Sequence, residues 1–228
     1  MALPISFPKS ERLAIQLADD LHNLAEEHPN EKLWVGIVGF PGSGKSTLSH
    51  LLCRALRKKY GFAAAAVVLP MDGFHLRRAE LSAMPNPEEA FKRRGAPWTF
   101  APALMLDCLQ KIQQNGQGTA PAFDHGIGDP QPDAIHIGLT ARIVIVEGLY
   151  LYMDEAPWCQ IRSLLRVRLF IRCDQTVAME RVYRRHMSAS KRTPTEARFR
   201  IDTNDGPNCA YIAPTIAYAT QVIDSQED

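Results

Sequence analysis

A lysine and two hydroxyl side chains that directly follow a glycine-spaced turn are suited to holding phosphate. This chain has them in Gly39-Phe-Pro-Gly-Ser-Gly-Lys-Ser-Thr47. The segment fits G-x-x-x-x-G-K-[ST], with Gly39, Gly44, Lys45 and Ser46 at the defining positions. Glycines let backbone N–H groups converge on an anion, and a following helix N-terminus adds partial positive charge. Lys45 then has the reach to meet β- and γ-phosphates, and the Ser46 hydroxyl is placed to ligate Mg²⁺. Pro41, Gly42, Ser43 and Thr47 complete the cradle. The competing reading is a plain Gly/Ser turn, and the flanks argue against it. Leu33-Trp-Val-Gly-Ile-Val38 reads as a buried strand, and Leu48, Leu51, Leu52, Ala55 and Leu56 recur at helical spacing up to Tyr60. The pattern predicts a nucleoside triphosphate site.

Two carboxylates stand at the ends of later apolar runs. Asp72 follows Ala63–Leu69 and Pro70-Met71, where it would lie near a γ-phosphate held on the first loop. It is suited to accept a proton from an attacking hydroxyl or to organise Mg²⁺, and the alternative is an Asp capping the next turn. Glu147 closes Arg142-Ile-Val-Ile-Val-Glu147, a place from which a carboxylate holds Mg²⁺ or its water; the alternative is a solvated strand end. Arg181, Arg184 and Arg185 recur at i, i+3 and i+4 on a helix that Asp174 is placed to cap. With Arg192 they form either a lid over the triphosphate or a solvated basic face. No histidine has metal-ligand spacing, and His186 reads as a satisfied or exposed side chain.

The elements that must position these groups follow from the apolar pattern. Five runs (from Leu33, Ala63, Arg142, Val167 and Gln221) alternate with helical stretches. This predicts an α/β fold with a five-stranded, mostly parallel sheet covered by helices on both faces. Ligands of such sheets bind beyond the carboxyl ends of the strands, where the glycine loop, Asp72, Glu147 and Asp174 all fall. Ser10 is placed to cap a leading helix reaching about His28, with Leu13, Leu17, Leu21 and Leu24 as its apolar stripe. Residues 1–30 are expected to pack on a single domain, 31–228. Within it, the Pro- and Gly-rich region 79–140 reads as inserted loops interrupted by one helix, Ala103–Asn115, and residues 174–205 as a lid.

Composition narrows the partners. The formal net charge of +1 gives no reason to expect nucleic acid or an anionic membrane. Five scattered cysteines without a C-x-x-C pair favour reduced thiols in a cytoplasmic protein. No secretory signal pattern and no bilayer-length apolar run is present. Nothing in the pattern speaks to oligomeric state.

Several segments together resemble the phosphoribulokinase/uridine kinase family of P-loop kinases. They are Gly39–Thr47, Met71-Asp-Gly-Phe-His75, Arg93-Arg-Gly-Ala-Pro-Trp-Thr-Phe100, Pro121-Ala-Phe-Asp-His125, Val146-Glu-Gly-Leu-Tyr150 and Asn204-Asp-Gly-Pro-Asn208. The nearest subgroup pairs MDGFH with RRGAP-x-TF. The resemblance implies ATP- and Mg²⁺-dependent transfer of the γ-phosphate to a hydroxyl of a small metabolite: a nucleoside such as uridine, a sugar, or a pantothenate-like alcohol. It implies Asp72 as general base, with Lys45 and Arg185 acting on the phosphates. It further implies acceptor contacts from Phe74, His75, Arg94, Phe123, Asp124 and His125. One departure is Ala101, where the subgroup usually carries Asp; that Asp serves either the following helix start, a role that would pass to Thr99 or be lost, or the substrate. The alternative function is a nucleotide-hydrolysing regulatory protein without an acceptor. No N-K-x-D segment supports a GTPase.

Overall fold

The computed structural model describes residues 8–62, 65–124, 126–188 and 192–225. The chain runs through helix α1 (Pro8–Glu26), strand β1 (Leu33–Gly39), helix α2 (Lys45–Tyr60) and strand β2 (Ala66–Pro70). A 3-10 turn (Met71–Phe74) leads to α3 (Arg78–Ser82), α4 (Pro87–Lys92), α5 (Pro102–Asn115), β3 (Gly118–Asp124) and β4 (Asp129–Ile137). Then come β5 (Ile143–Gly148), α6 (Trp158–Leu164), β6 (Val167–Arg172), α7 (Gln175–Ser188) and α8 (Pro194–Arg200). A π-helical turn (Ile201–Asp205), α9 (Gly206–Ile212) and β7 (Gln221–Asp224) follow.

Period-two alternation sorts the strand residues onto two faces of one sheet. Its order is β2-β5-β1-β6-β7, and every neighbouring pair is parallel. The sheet is therefore wholly parallel rather than mostly so. Val35, Ile37, Ile143 and Ile145 face α1 and α2, packing with Leu17, Leu21, Leu48, Leu52 and Leu56. Trp34, Val38, Val144 and Val146 face the other way, against Met105, Leu109 and Ile112 of α5 and Trp158 and Ile161 of α6. Burying a Leu or Ile side chain contributes about 1.5–3 kcal/mol, so these two layers hold the strands in place. The ion pairs Arg54–Glu11 (2.8 Å) and Lys59–Asp19 (2.7 Å) also join α2 to α1. Both are solvent-exposed, and packing outweighs them.

Some details differ from the sequence reading, among them the short helices α3 and α4 in a region expected to hold one helix. Helix α1 begins at Pro8, so Ser10 lies in its first turn instead of capping it. Residues 118–137, expected as loops, form an antiparallel β3–β4 hairpin with a bulge between Ala120 and Ala122. Pro121, Pro130 and Pro132 hid it, because a two-stranded ribbon tolerates proline wherever the N–H would point outward. Of the two outcomes expected for a helix-start role at position 101, the structure has the role lost. Ala101 is the N-cap residue with φ −110° and ψ 72°, and no side chain bonds the helix start. Thr99 does not take over, since its hydroxyl donates to Ala96 O (2.8 Å) and accepts from Gly95 N (2.9 Å).

Asn86, with nearly the same backbone (φ −128°, ψ 83°), does cap α4 by accepting from Glu89 N. Ala101→Asp is therefore expected to add about 1 kcal/mol of stability, raising Tm by about 2–4 °C in thermal unfolding. An unchanged or lowered Tm would show that the backbone at 101 cannot present a capping carboxylate.

Candidate active site

The glycine loop joins the end of β1 to the start of α2 at the centre of the sheet's carboxyl edge, where strand order reverses on either side of β1. Gly44 has φ +97° and a Cβ added there would meet nothing within 4 Å, so the loop is concave on that side. Gly42 has φ +79° and its Cβ would lie 2.2 Å from Ala178 O, so only glycine lets the loop rest on α7. The Ser43 Oγ is buried and has no hydrogen-bond partner among the described residues. An open backbone hollow and an orphaned hydroxyl are what a phosphate would occupy and satisfy.

Lys45 is buried and donates from Nζ to Phe40 O at 2.8 Å. Burial pulls its pKa down to about 8; the negative charges of Glu147 and Asp72 push it up, and Arg185 pushes it down. Glu147 is also buried, and its Oε1 accepts from Ser46 Oγ at 2.9 Å. Desolvation raises its pKa, Lys45 opposes this, and Asp72 adds to it. Lys45, Ser46, Glu147 and Asp72 thus form one electrostatic cluster. Mg²⁺ is commonly held by one or two protein oxygens together with phosphates and water. Ser46 Oγ and the Glu147 carboxylate fit that role, and among the described residues no group of three His, Cys, Asp or Glu side chains forms a fuller metal cage.

Asp72 sits on the 3-10 turn after β2, with its side chain half-exposed. The His75 ring is anchored by Nδ1 to Asp72 O at 2.8 Å. It packs against Phe100 (centroids 4.0 Å apart) and Phe123 (4.9 Å), making an aromatic wall next to the carboxylate. Wall, carboxylates and glycine loop line a single open cavity of about 1160 Å³.

The other residues singled out from sequence divide by location. Pro41 to Thr47, Asp72, His75, Arg94, Phe123, Glu147 and Arg185 line the cavity. Gly39, at the end of β1, does not line it. Phe74 is buried in the core, and Asp124 closes the hairpin turn by accepting from Gly126 N (2.7 Å) and Ile127 N (3.1 Å). Neither lines the cavity, nor does Ala101. His125 lies outside the described residues. Arg94 reaches the cavity wall but is bound to Leu76 O (2.9 Å), Gly128 O and Asp129 (3.0 Å), so it braces the hairpin turn.

Among the arginines, Arg184 faces solvent and pairs with Glu180, whereas Arg181, Arg185 and Arg192 line the cavity. Asp174 caps α7 through Thr176 N (2.8 Å) and Val177 N (3.3 Å). His186 is satisfied between Asp205 and Arg192. Sequence reasoning missed Arg200 and gave no role to Asn204 and Asn208, which also line the cavity. The Asn204–Asn208 segment was visible as a motif, but its spacing carries no chemistry until the fold brings it beside Gly95.

A wholly parallel sheet with a glycine cradle, buried lysine and strand-end carboxylates defines a P-loop nucleotide-binding protein. Residues 34–228 match the model of the phosphoribulokinase/uridine kinase family, and the chain belongs to that family of kinases. It is 36% identical over 217 residues to the Schizosaccharomyces pombe protein named "Putative uridine kinase C227.14", covering 93% of this chain and 90% of that one. Among solved structures it resembles a "putative fructose transport system kinase" from Silicibacter sp. TM1040, with TM-score 0.78, 26% identity and coverage of 92% and 98%. It also superposes on YFH7 of Saccharomyces cerevisiae, described as "a putative P-loop containing kinase with a circular permutation", at TM-score 0.81 and 24% identity over 94% of this chain and 99% of that one. Membership implies ATP binding. All five cysteines are free thiols, and no helix among the described residues is long and apolar enough to cross a membrane.

The lowered pKa of Lys45 gives a pH signature. Phosphate beside the ammonium raises that pKa in the bound state. Below pH 8, Lys45 is protonated both free and bound, and affinity is level; above pH 8, binding must take up a proton. ATP affinity is therefore expected to fall by up to about tenfold per pH unit above that point. Calorimetry in buffers of different ionisation enthalpy should show the uptake; a flat profile from pH 7 to 9.5 would contradict a desolvated lysine with a lowered pKa.

Proposed function

We propose that this kinase transfers the γ-phosphoryl of ATP to a hydroxyl of a nucleoside, sugar or pantothenate-like alcohol, with Asp72 as the general base. The supporting observation is that the Asp72 carboxylate shares one cavity with Lys45, Ser46 and Glu147 on one side and the His75–Phe100–Phe123 wall on the other. That arrangement puts a proton acceptor between a phosphate cradle and a surface suited to a flat base or the apolar face of a sugar. The relatives named for uridine and for fructose point to the same polyhydroxyl class.

In this reading the acceptor hydroxyl attacks the γ-phosphorus, a new O–P bond forms and the bond to the β-phosphate oxygen breaks. The hydroxyl proton passes to Asp72, and ADP leaves. Lys45 and Arg185 offset the charge that develops on the phosphoryl oxygens, which is the main catalytic demand of phosphoryl transfer. Mg²⁺, held from Ser46 and Glu147, would neutralise the β- and γ-oxygens. The aromatic wall orients the acceptor and keeps water from the reacting oxygen. The regulatory alternative finds no support in the structure or among the relatives.

A panel of nucleosides, sugars and vitamin alcohols, assayed for ADP release, is expected to contain one class that raises ATP consumption well above the acceptor-free rate. Asp72→Asn should lower that turnover roughly 10²-fold or more while leaving nucleotide affinity nearly intact. Lys45→Ala should abolish turnover chiefly by weakening nucleotide binding. Turnover in Asp72→Asn equal to the wild type would remove the base, and ATP hydrolysis indifferent to every acceptor would favour a regulator.

A further inference from the structure

The stretch Arg200–Asn208 makes two sets of contacts that face different halves of the cavity. On the acceptor side it binds the backbone of the Arg93–Gly95 segment. Asn204 Nδ2 donates to Arg94 O (3.0 Å), and Asn208 Nδ2 donates to Gly95 O (3.1 Å). Arg200 donates to Lys92 O (2.9 Å) and Arg94 O. Arg93 returns a bond to Asn208 Oδ1 (3.2 Å), and Tyr150 OH shares Gly95 O (2.6 Å). Both asparagines are buried at 1% exposure, where an unmade hydrogen bond costs about 1–3 kcal/mol, so these contacts hold one geometry.

On the phosphate side the same stretch holds Arg192. Arg192 Nη1 lies 2.9 Å from His186 Nδ1, and His186 Nε2 lies 2.9 Å from Asp205 Oδ2. A guanidinium only donates, so Nδ1 accepts and the ring proton sits on Nε2, donating to Asp205. Asp205 ends the π-helical turn Ile201–Asp205, whose extra residue sets Asn204 and Asp205 toward different partners. Arg192, His186 and Asp205 line the cavity beside Arg185.

We propose that Arg200–Asn208 is a positioning brace for phosphoryl transfer: Asp205, through His186, aims Arg192 at the terminal phosphate, and Asn204 and Asn208 fix the Arg93–Gly95 loop that borders the acceptor. This deepens the kinase reading above and rests on it. Arg192 is the residue that touches phosphate; His186, Asp205, Asn204 and Asn208 act through others.

The test crosses two variants of the full-length protein with two readouts. One readout is hydrogen exchange at the Gly95, Ala96 and Thr99 amides in nucleotide-free protein, since each is bonded within the loop. The other is the affinity ratio of Mg·AMP-PNP to Mg·ADP. Asn208→Ala should speed loop exchange by about tenfold or more and leave the nucleotide ratio within about twofold of wild type. Asp205→Asn should lower the ratio by about tenfold and leave loop exchange near wild type. If Asn208→Ala does not fold, Tyr150→Phe removes a bond to the same Gly95 O and should speed exchange in the same direction. Arg192→Ala combined with Asp205→Asn should lower the ratio no further than Arg192→Ala alone.

Unchanged loop exchange in the first variant, or an unchanged ratio in the second, overturns the brace. So does a uniform rise in exchange across the sheet, the mark of general destabilisation. Failure of wild-type protein to bind AMP-PNP overturns the kinase site itself, while loop exchange in the nucleotide-free protein still decides the acceptor-side half.

Discussion

A buried cation without a committed anion is the constraint around which this molecule is arranged. Lys45 lies at the base of the cavity, desolvated enough that its pKa falls to about 8, and its Nζ donates to Phe40 O. Charge removed from water is unfavourable unless it is paired. Glu147 and Asp72 offset that cost from the ends of neighbouring strands, yet Glu147 is itself desolvated and bonded to Ser46. The cluster is held together but not neutral at every point, and a polyanion completes it. A desolvated cation at the floor of a cavity favours an anionic ligand.

That arrangement depends on where strands end, and strand ends depend on the core. The two apolar layers fix β1 between β5 and β6, with Ile37 opposite Glu147 and Gly39 opposite Ile171. Pro70 at the end of β2 lies opposite Glu147 on the other side of β5, which delivers Asp72 to the same edge. A parallel sheet places all its carboxyl ends on one side, so groups remote in sequence converge without any contact between them. The loop's rest against Ala178 then draws α7, and with it Arg185 and His186, toward the same opening.

The half of the cavity proposed for the acceptor is built differently. It has no strand-end rule behind it, and its shape comes from cross-connections: the hairpin pinned by Arg94, the ring stack of His75, Phe100 and Phe123, and the asparagine bonds to the Arg94 and Gly95 carbonyls. Such contacts join residues up to 113 positions apart.

The sequence by itself determined the nucleotide half. Glycine spacing, Lys45 and Ser46 are local, the β1 and α2 patterns are contiguous, and Asp72 and Glu147 announce themselves by closing apolar runs. The capping of α7 by Asp174 and the satisfied state of His186 were legible for the same reason. Tertiary structure alone decided the rest. Prolines concealed the β3–β4 hairpin, Phe74 went to the core, and Asp124 went to a turn although its motif suggested the acceptor. Asn204 and Asn208 acquired a purpose only beside Gly95. The division follows range: backbone conformation and amphipathic period are set within a few neighbours, whereas the partner of a buried amide is chosen by whatever the packed core brings against it.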